Sequence, residues 1–152
     1  FGAPVRGIKN ELTKKYHELE VDKLFIKKKN IKKIIFLGAG DSDIKYLNEM
    51  RKYINFIDFN IKNLVNKISL DESINIISEY QYYLGFESGL FHVAASLKIK
   101  TYGIFTKINE FSHNNWENVT IFYGKPCISD KNEYFGNSEL NNISLDEVEK
   151  LL

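Results

Sequence analysis

An acid, a hydroxyl, a glycine and an imidazole stand close together in this chain, at Glu87-Ser88-Gly89 and His92. The residues before them, Tyr82, Tyr83, Leu84 and Phe86, are apolar strand formers broken only by Gly85, and a small-residue helix, Leu90 to Leu97, follows. A strand, a tight turn and a helix in that order are how α/β proteins build an anion site. The first N–H groups of the helix are unpaired, and its N-terminus carries about half a positive charge. Gly89 lets a ligand come close to the backbone. His92 follows Ser88 by four residues, so both side chains share one side of the first turn. Ala94 and Ala95 allow the helix to lie near a sheet. The turn reads as a grip on the diphosphate of a nucleotide-sugar.

A second strand-to-helix turn, Gly38-Ala39-Gly40 followed by Asp41, invites comparison with a dinucleotide-binding fingerprint. The third glycine of that fingerprint would fall on Asp43, whereas an acid after the next strand exists at Asp58. A lone G-x-G is weak, and the simpler reading is a tight turn lining a nucleotide cleft, with Gly38, Gly40 and Asp41 at its rim. Other chemistry-bearing residues have bland readings. The run Lys27 to Lys33 (KKKNIKK) has no interleaved aromatics and reads as a solvated helix end. His113 falls in a polar loop, Trp116 reads as core, and Cys127 has no histidine near it in sequence.

Positioning these residues requires alternating strands and helices. Phe1 to Gly7 reads as a strand end and a loop. Helical spacing of Leu12, Tyr16 and Leu19 begins after Asn10, a possible N-cap, and Leu24 and Phe25 continue it or start a second piece. Ile31 to Leu37 reads as a buried strand. Ile44, Leu47, Met50 and Ile54 mark a helix, with Asp43 near its start. Ile54 to Phe59 (INFIDF) alternates like a strand. Ser69-Leu70-Asp71-Glu72 is a capping box opening a helix with Ile74, Ile77 and Ser78 inward. After the central strand-turn-helix come a strand over Lys100 to Phe105, a polar loop over Thr106 to Glu117 and a last strand over Val119 to Tyr123. Gly124 to Asn142 reads as irregular, and a second capping box at Ser144-Leu145-Asp146-Glu147 opens a terminal helix. This order predicts one α/β domain over residues 1–152, a Rossmann-like parallel sheet with helices on both faces. Ligands of such sheets sit beyond the C-terminal strand ends. There lie the loops Gly38 to Asp43, Phe86 to Gly89 and Phe105 to Asn109.

Bulk composition narrows the classes. The 152 residues are 43% hydrophobic and 27% charged, which fits a globular domain with a real core. A net charge of +1 gives no case for nucleic acid or an anionic membrane. Among 21 basic residues only Arg6 and Arg51 are arginines, a poor endowment for bidentate phosphate or base recognition. The single cysteine excludes an internal disulfide and fits a reducing compartment. No apolar run approaches the roughly 20 residues of a membrane span. The chain begins at Phe1 within what reads as a strand end, which points to a piece of a longer protein.

The segment Glu87-Ser88-Gly89-Leu90-Phe91-His92, followed by Val93-Ala94-Ala95, resembles the acid-Ser/Thr-Gly-x-x-His motif of glycosyltransferase family 9, the heptosyltransferase-like enzymes of bacterial surface polysaccharide synthesis. The flanks are similar too: the helix Leu70 to Ser78, the strand Thr101 to Phe105 with Thr106, Pro126-Cys127, and Ile143 to Leu152. The likeness runs from about Ile31 onward. It implies the C-terminal, donor-binding half of a two-domain GT-B enzyme whose N-terminal domain, with the acceptor site and catalytic base, lies outside this chain. By this resemblance Ser88 and Gly89 hold the diphosphate, and His92 bonds the leaving phosphate. Glu87 contacts sugar hydroxyls, or else serves as a helix N-terminal acid. Lys9 neutralises phosphate, and Thr106 adds to the donor site. Three departures stand out: Glu87 replaces the usual Asp, Lys9-Asn10-Glu11 lacks a Trp, and Thr106-Lys107 replaces Gly-Pro.

The implied reaction is inverting transfer of a heptose or related sugar from a nucleotide-diphosphate donor to a glycan or lipid-linked acceptor such as lipopolysaccharide. No cofactor, tightly bound metal or nucleic acid is expected. The implied location is the cytoplasm, at the inner face of the inner membrane, with at most peripheral membrane contact. Two other classes stay open. One is a nucleotide-binding or interaction module of the same fold that has lost transfer, and the other is an NAD-binding oxidoreductase fragment resting on the Gly38-Ala39-Gly40 turn.

Overall fold

A computed structural model describes residues 12–54, 59–86, 88–105, 116–123 and 144–152. Along them run α1 (Leu12–Lys28), β1 (Lys33–Phe36), α2 (Asp41–Tyr53), β2 (Asn60–Asn63), α3 (Leu70–Glu79), β3 (Tyr82–Phe86), α4 (Gly89–Ser96), β4 (Lys100–Phe105), β5 (Val119–Tyr123) and α5 (Leu145–Leu151). The expected alternation is present, and the stretch Leu12 to Lys28 is one continuous helix. Every strand pairing is parallel: β1 with β2, and β3 with β4 and β4 with β5.

Side-chain alternation along the strands sends apolar residues to both faces. Leu84 and Phe86 of β3, Tyr102 and Ile104 of β4 and Phe122 of β5 pack with Val21 and Phe25 of α1 and Val148 of α5. The intervening Tyr83 and Phe105 face the other way, against Ile77 of α3 and Phe91 and Ala94 of α4. A third cluster places Ile34 and Phe36 of β1 against Ile26 of α1 and Leu47 and Met50 of α2. Helices α1, α2 and α5 thus cover one face, and α3 and α4 the other. This is the two-sided cover that a parallel sheet requires. Residue Gly103 makes the α4 side possible, because a Cβ there would lie 2.8 Å from the Phe91 ring. Full burial of Phe91 contributes about 2–3 kcal/mol.

The capping box forms at Ser69, whose Oγ accepts from the Glu72 N–H at 3.2 Å while the Glu72 carboxylate accepts from the Ser69 N–H at 2.9 Å. Ser144 caps α5 through the Glu147 N–H at 3.3 Å.

Four expectations are corrected. The strands form a two-stranded and a three-stranded sheet rather than one, since β1 and β3 share no ladder hydrogen bonds. The segment INFIDF does not begin a strand: the Ile54 N–H bonds back to the Met50 carbonyl at 2.8 Å and closes α2, and the strand of this region is β2. Residues 55–58 lie outside the described set. In α3 Ser73, not Ser78, is buried; the Ser78 hydroxyl is satisfied at the surface by the Asn75 carbonyl at 2.6 Å. Trp116 is 39% exposed, and its carbonyl, not its ring, does the anchoring, by accepting from Val119 N–H. The lysine run does form the exposed end of α1, and three of its lysines also make contacts. Lys29 donates to the Leu152 carbonyl at 2.9 Å and sits over the Tyr82 and Tyr102 rings, Lys28 pairs with Glu149 at 2.8 Å, and Lys33 sits over Tyr80. These contacts fasten the end of α1 to the chain's last helix and to the starts of β3 and β4.

Candidate functional site

The turn Ser88-Gly89 follows the last residue of β3 and so lies at the C-terminal edge of its sheet, where ligands of parallel sheets bind. Ser88 is the N-cap of α4, in extended conformation, and its Oγ accepts from the Phe91 N–H at 3.4 Å. The His92 N–H reaches the Ser88 carbonyl at 3.3 Å. The N–H groups of Gly89 and Leu90 have no hydrogen-bond partner among the described residues. A Cβ on Gly89 would meet nothing within 4 Å, so the backbone can be approached closely at its Cα. Free N–H groups, the positive end of a helix dipole and an approachable backbone together make an anion seat.

His92 is exposed one turn into α4, its ring edge-on to Phe91 at 5.4 Å. The structure therefore brings Ser88, Gly89 and His92 together. Glu87, Lys9 and Thr106 lie outside the described residues, as do His113 and Cys127.

The Gly38–Gly40 turn also sits at a C-terminal strand end, that of β1, but it is already filled. The Ala39 N–H donates to Asp43 Oδ2 at 2.7 Å, and the Gly40 N–H donates to Asn66 Oδ1 at 2.6 Å. Asn66 closes the loop with its own N–H on the Gly38 carbonyl at 3.0 Å. Gly40 takes φ 96° and Gly38 φ 156°, conformations that suit glycine. A carboxylate stands where a dinucleotide fold would place pyrophosphate, so this turn does not offer the amides that such a ligand needs. Asp41 is exposed at the first position of α2.

No metal clamp of the Asp-x-Asp type is expected, yet Asp41-Ser42-Asp43 has that spacing. In the structure the two carboxylates part company: Asp43 is buried on Ala39 N–H, whereas Asp41 faces solvent. Among the described residues no group of three or more His, Cys, Asp or Glu side chains could hold a metal ion.

Two buried polar residues near the turns carry no recognisable sequence pattern. Tyr83 on β3 is 5% exposed, and its hydroxyl makes no hydrogen bond. Burial pushes this phenol well above its ordinary range; the neighbouring Ser88 side chain opposes that shift and the Asp43 carboxylate adds to it. Asp22 on α1 is fully buried and accepts from the Tyr46 hydroxyl of α2 at 2.5 Å. Burial raises its pKa to about 7, against the lowering effect of the Tyr46 hydrogen bond. The Tyr46 ring in turn packs edge-on against Phe86 at 5.4 Å. Both residues lie within apolar strand or helix patterns, where a Tyr reads as filler and an Asp as a surface charge.

A cavity of about 560 Å³ lies elsewhere, lined by residues 31–35 around β1, 81–84 at the start of β3 and the ends of α1 and α3. It opens at the N-terminal ends of β1 and β3, opposite the Ser88 turn.

Comparison with known proteins agrees with this architecture. The lipooligosaccharide heptosyltransferases 2 of Campylobacter jejuni subsp. jejuni serotypes O:2 and O:6 are each 27% identical over 85 residues, which span 56% of this chain and 27% of theirs. The solved structure of E. coli ADP-heptose LPS heptosyltransferase II superposes with a TM-score of 0.56 at 22% identity, covering 88% of this chain and 42% of that one. The glycosyltransferase family 9 structure from Veillonella parvula gives a TM-score of 0.64 at 13% identity, covering 98% and 43%. The chain thus spans well under half of each of these proteins, and at these identities the two solved structures speak for the fold, that of GT-B heptosyltransferases. Residues 10–134 match the family described as glycosyltransferase family 9 (heptosyltransferase), a likeness that starts some 20 residues earlier than the motifs suggest. The chain belongs to glycosyltransferase family 9.

Proposed function

We propose that this chain is the donor-binding half of an inverting glycosyltransferase and that the Ser88–Leu90 turn holds the diphosphate of a nucleotide-sugar. One observation carries the reading: among the described residues the Gly89 and Leu90 N–H groups are unpaired at the C-terminal edge of β3, where the backbone at Gly89 can be approached closely. In the reaction, an acceptor hydroxyl attacks the anomeric carbon from the face opposite the donor phosphate. The bond from that carbon to the phosphate oxygen breaks, and the nucleoside diphosphate leaves with the electron pair. The two N–H groups and the α4 dipole stabilise the charge that develops on the leaving oxygen. His92 adds a hydrogen bond to the same diphosphate. The base that takes the acceptor proton belongs to a further domain outside this chain. Glu87 contacts the sugar, Lys9 and Thr106 complete the donor site, and the transferred sugar is a heptose or a close relative. The acceptor is a bacterial surface glycan such as lipopolysaccharide. Among the described residues no helix is long and apolar enough to cross a membrane. Work at the cytoplasmic face of the inner membrane, where such acceptors are built, accords with the reading.

Titration calorimetry of the chain with ADP, UDP and NAD tests it. ADP or UDP should bind in preference to NAD, and His92→Ala should weaken that binding about tenfold. Preferential NAD binding abolished by Gly40→Val would assign an oxidoreductase instead. Diphosphate binding without transfer by the complete protein would leave a binding module.

A further inference from the structure

The Tyr83 phenol occupies a costly place. A buried hydroxyl without a partner forfeits about 1–3 kcal/mol of solvation, and replacing it with a hydrogen atom would remove that penalty. It packs in one cluster with Phe91, the residue whose N–H bonds Ser88 Oγ, and the Ser88 hydroxyl is near enough to act on it although no partner meets hydrogen-bond geometry. Burial keeps the phenol protonated, so it can act only as a neutral donor or acceptor. Ser88 is committed as well: one lone pair of its Oγ accepts from the Phe91 N–H over a long 3.4 Å. Its second lone pair and its own proton remain to be placed.

We infer that Tyr83 is a positioning residue for the anion seat, its hydroxyl donating to Ser88 Oγ so that the Ser88 proton is turned outward onto a phosphate oxygen held by the Gly89 and Leu90 N–H groups. The Ser88 hydroxyl then joins the two N–H groups and His92 as a donor to the ligand. The Tyr83-to-Ser88 bond polarises the Ser88 hydroxyl, since hydrogen bonds in a chain strengthen one another. The ligand class is a phosphate or diphosphate group, and the inference rests on the donor-site reading above. The Asp43 carboxylate, also near Tyr83, opposes the ionised form of the phenol and so favours the donor state.

The experiment is a double-mutant cycle in the full chain, with ADP and UDP affinities measured by calorimetry for the wild type, Tyr83→Phe, Ser88→Ala and the pair. The expected result is a five- to tenfold loss of affinity in Tyr83→Phe, with a melting temperature equal to or above that of the wild type. In the Ser88→Ala background Tyr83→Phe should cause no further loss. Unchanged affinity in Tyr83→Phe would overturn the inference while leaving the donor-site reading intact. So would an equal loss in both backgrounds, because Tyr83 would then not act through Ser88. Failure of the wild type to bind either nucleotide would overturn the donor-site reading and this inference with it.

Discussion

The chain builds the same local unit twice, a short parallel strand running through a glycine-containing turn into a helix, and finishes the two turns in opposite ways. After β1, the turn at Gly38–Gly40 satisfies its own amides, Ala39 on the Asp43 carboxylate and Gly40 on the Asn66 side chain. After β3, among the described residues only the third N–H of α4 is satisfied, by the Ser88 hydroxyl at 3.4 Å, and the two before it have no partner. The closed turn has an internal anion, and among the described residues the open turn has none. A helix N-terminus attracts negative charge in either case. What separates structure from function is whether the chain supplies that charge from its own next turn. A glycine-rich turn is therefore a poor predictor of a phosphate site unless the residues around it lack a carboxylate that can fold back.

The sharpest way to break this contrast is to add one methyl group to each turn. On Gly38 a Cβ would collide with the Asp43 carboxylate, its Cγ only 2.9 Å away, at a φ of 156°. Backbone strain costs about 1–3 kcal/mol, and displacing the buried carboxylate from the Ala39 N–H a similar amount. Gly38→Ala should thus destabilise the chain by roughly 4 kcal/mol in urea unfolding. On Gly89 a Cβ meets open space, and Gly89→Ala should leave the unfolding midpoint unchanged while lowering ADP or UDP affinity about tenfold. If Gly38→Ala were the harmless variant and Gly89→Ala the damaging one, the assignment of closed and open turns would be reversed.

The two turns are not independent, because a buried strut joins the elements that carry them. Asp22 of α1 accepts from Tyr46 of α2, the helix of the closed turn, and the Tyr46 ring rests on Phe86, the last residue before the open one. Burial raises the Asp22 pKa from 3.8 to about 7. The folded chain therefore holds a proton that the unfolded chain releases between about pH 4 and 7. Unfolding free energy should fall as pH rises across that window, by on the order of 4 kcal/mol, and level off above it. Asp22→Asn, which keeps an acceptor for Tyr46 without a charge, should flatten this slope and be the more stable protein at pH 8. A wild-type slope of the opposite sign would mean that Asp22 is ionised and compensated in the folded state.

Much of this could be read from the residues. Ser69 and Glu72 announced their capping box, Lys100 to Phe105 was legible as a strand to the residue, and the Ser88–Gly89 turn lies at the strand end its pattern required. Misreadings arose where a local pattern served two structures equally well. Ile54 suits the apolar face of α2 as well as an alternating strand, and the backbone bond to Met50 decides between them. The pair Ser73 and Ser78 differ only in where the helix axis turns them. The separation of β1 from β3 is a long-range matter with no local signature. At the site itself, Asn66 is invisible in sequence because its partner Gly40 lies 26 residues away, and Tyr83 because a strand tyrosine reads as filler.

The smallest effect separates a cap that only holds a helix from one that also faces a ligand. Ser69 caps α3 in a reciprocal box, its Oγ 3.2 Å from the Glu72 N–H, and has no ligand role to perform. Ser69→Ala should cost about 1 kcal/mol of stability. Ser88 caps α4 over 3.4 Å, a weaker bond, and Phe91, Ala94 and Ala95 anchor the helix by burial regardless. Ser88→Ala should cost only about 0.5 kcal/mol, a shift of a degree or two in melting temperature, while weakening ADP or UDP binding far more than Ser69→Ala does. If both serines cost the same stability and neither affects the nucleotide, the hydroxyl of the open turn is a helix cap and no more, and the seat consists of its two free amides alone.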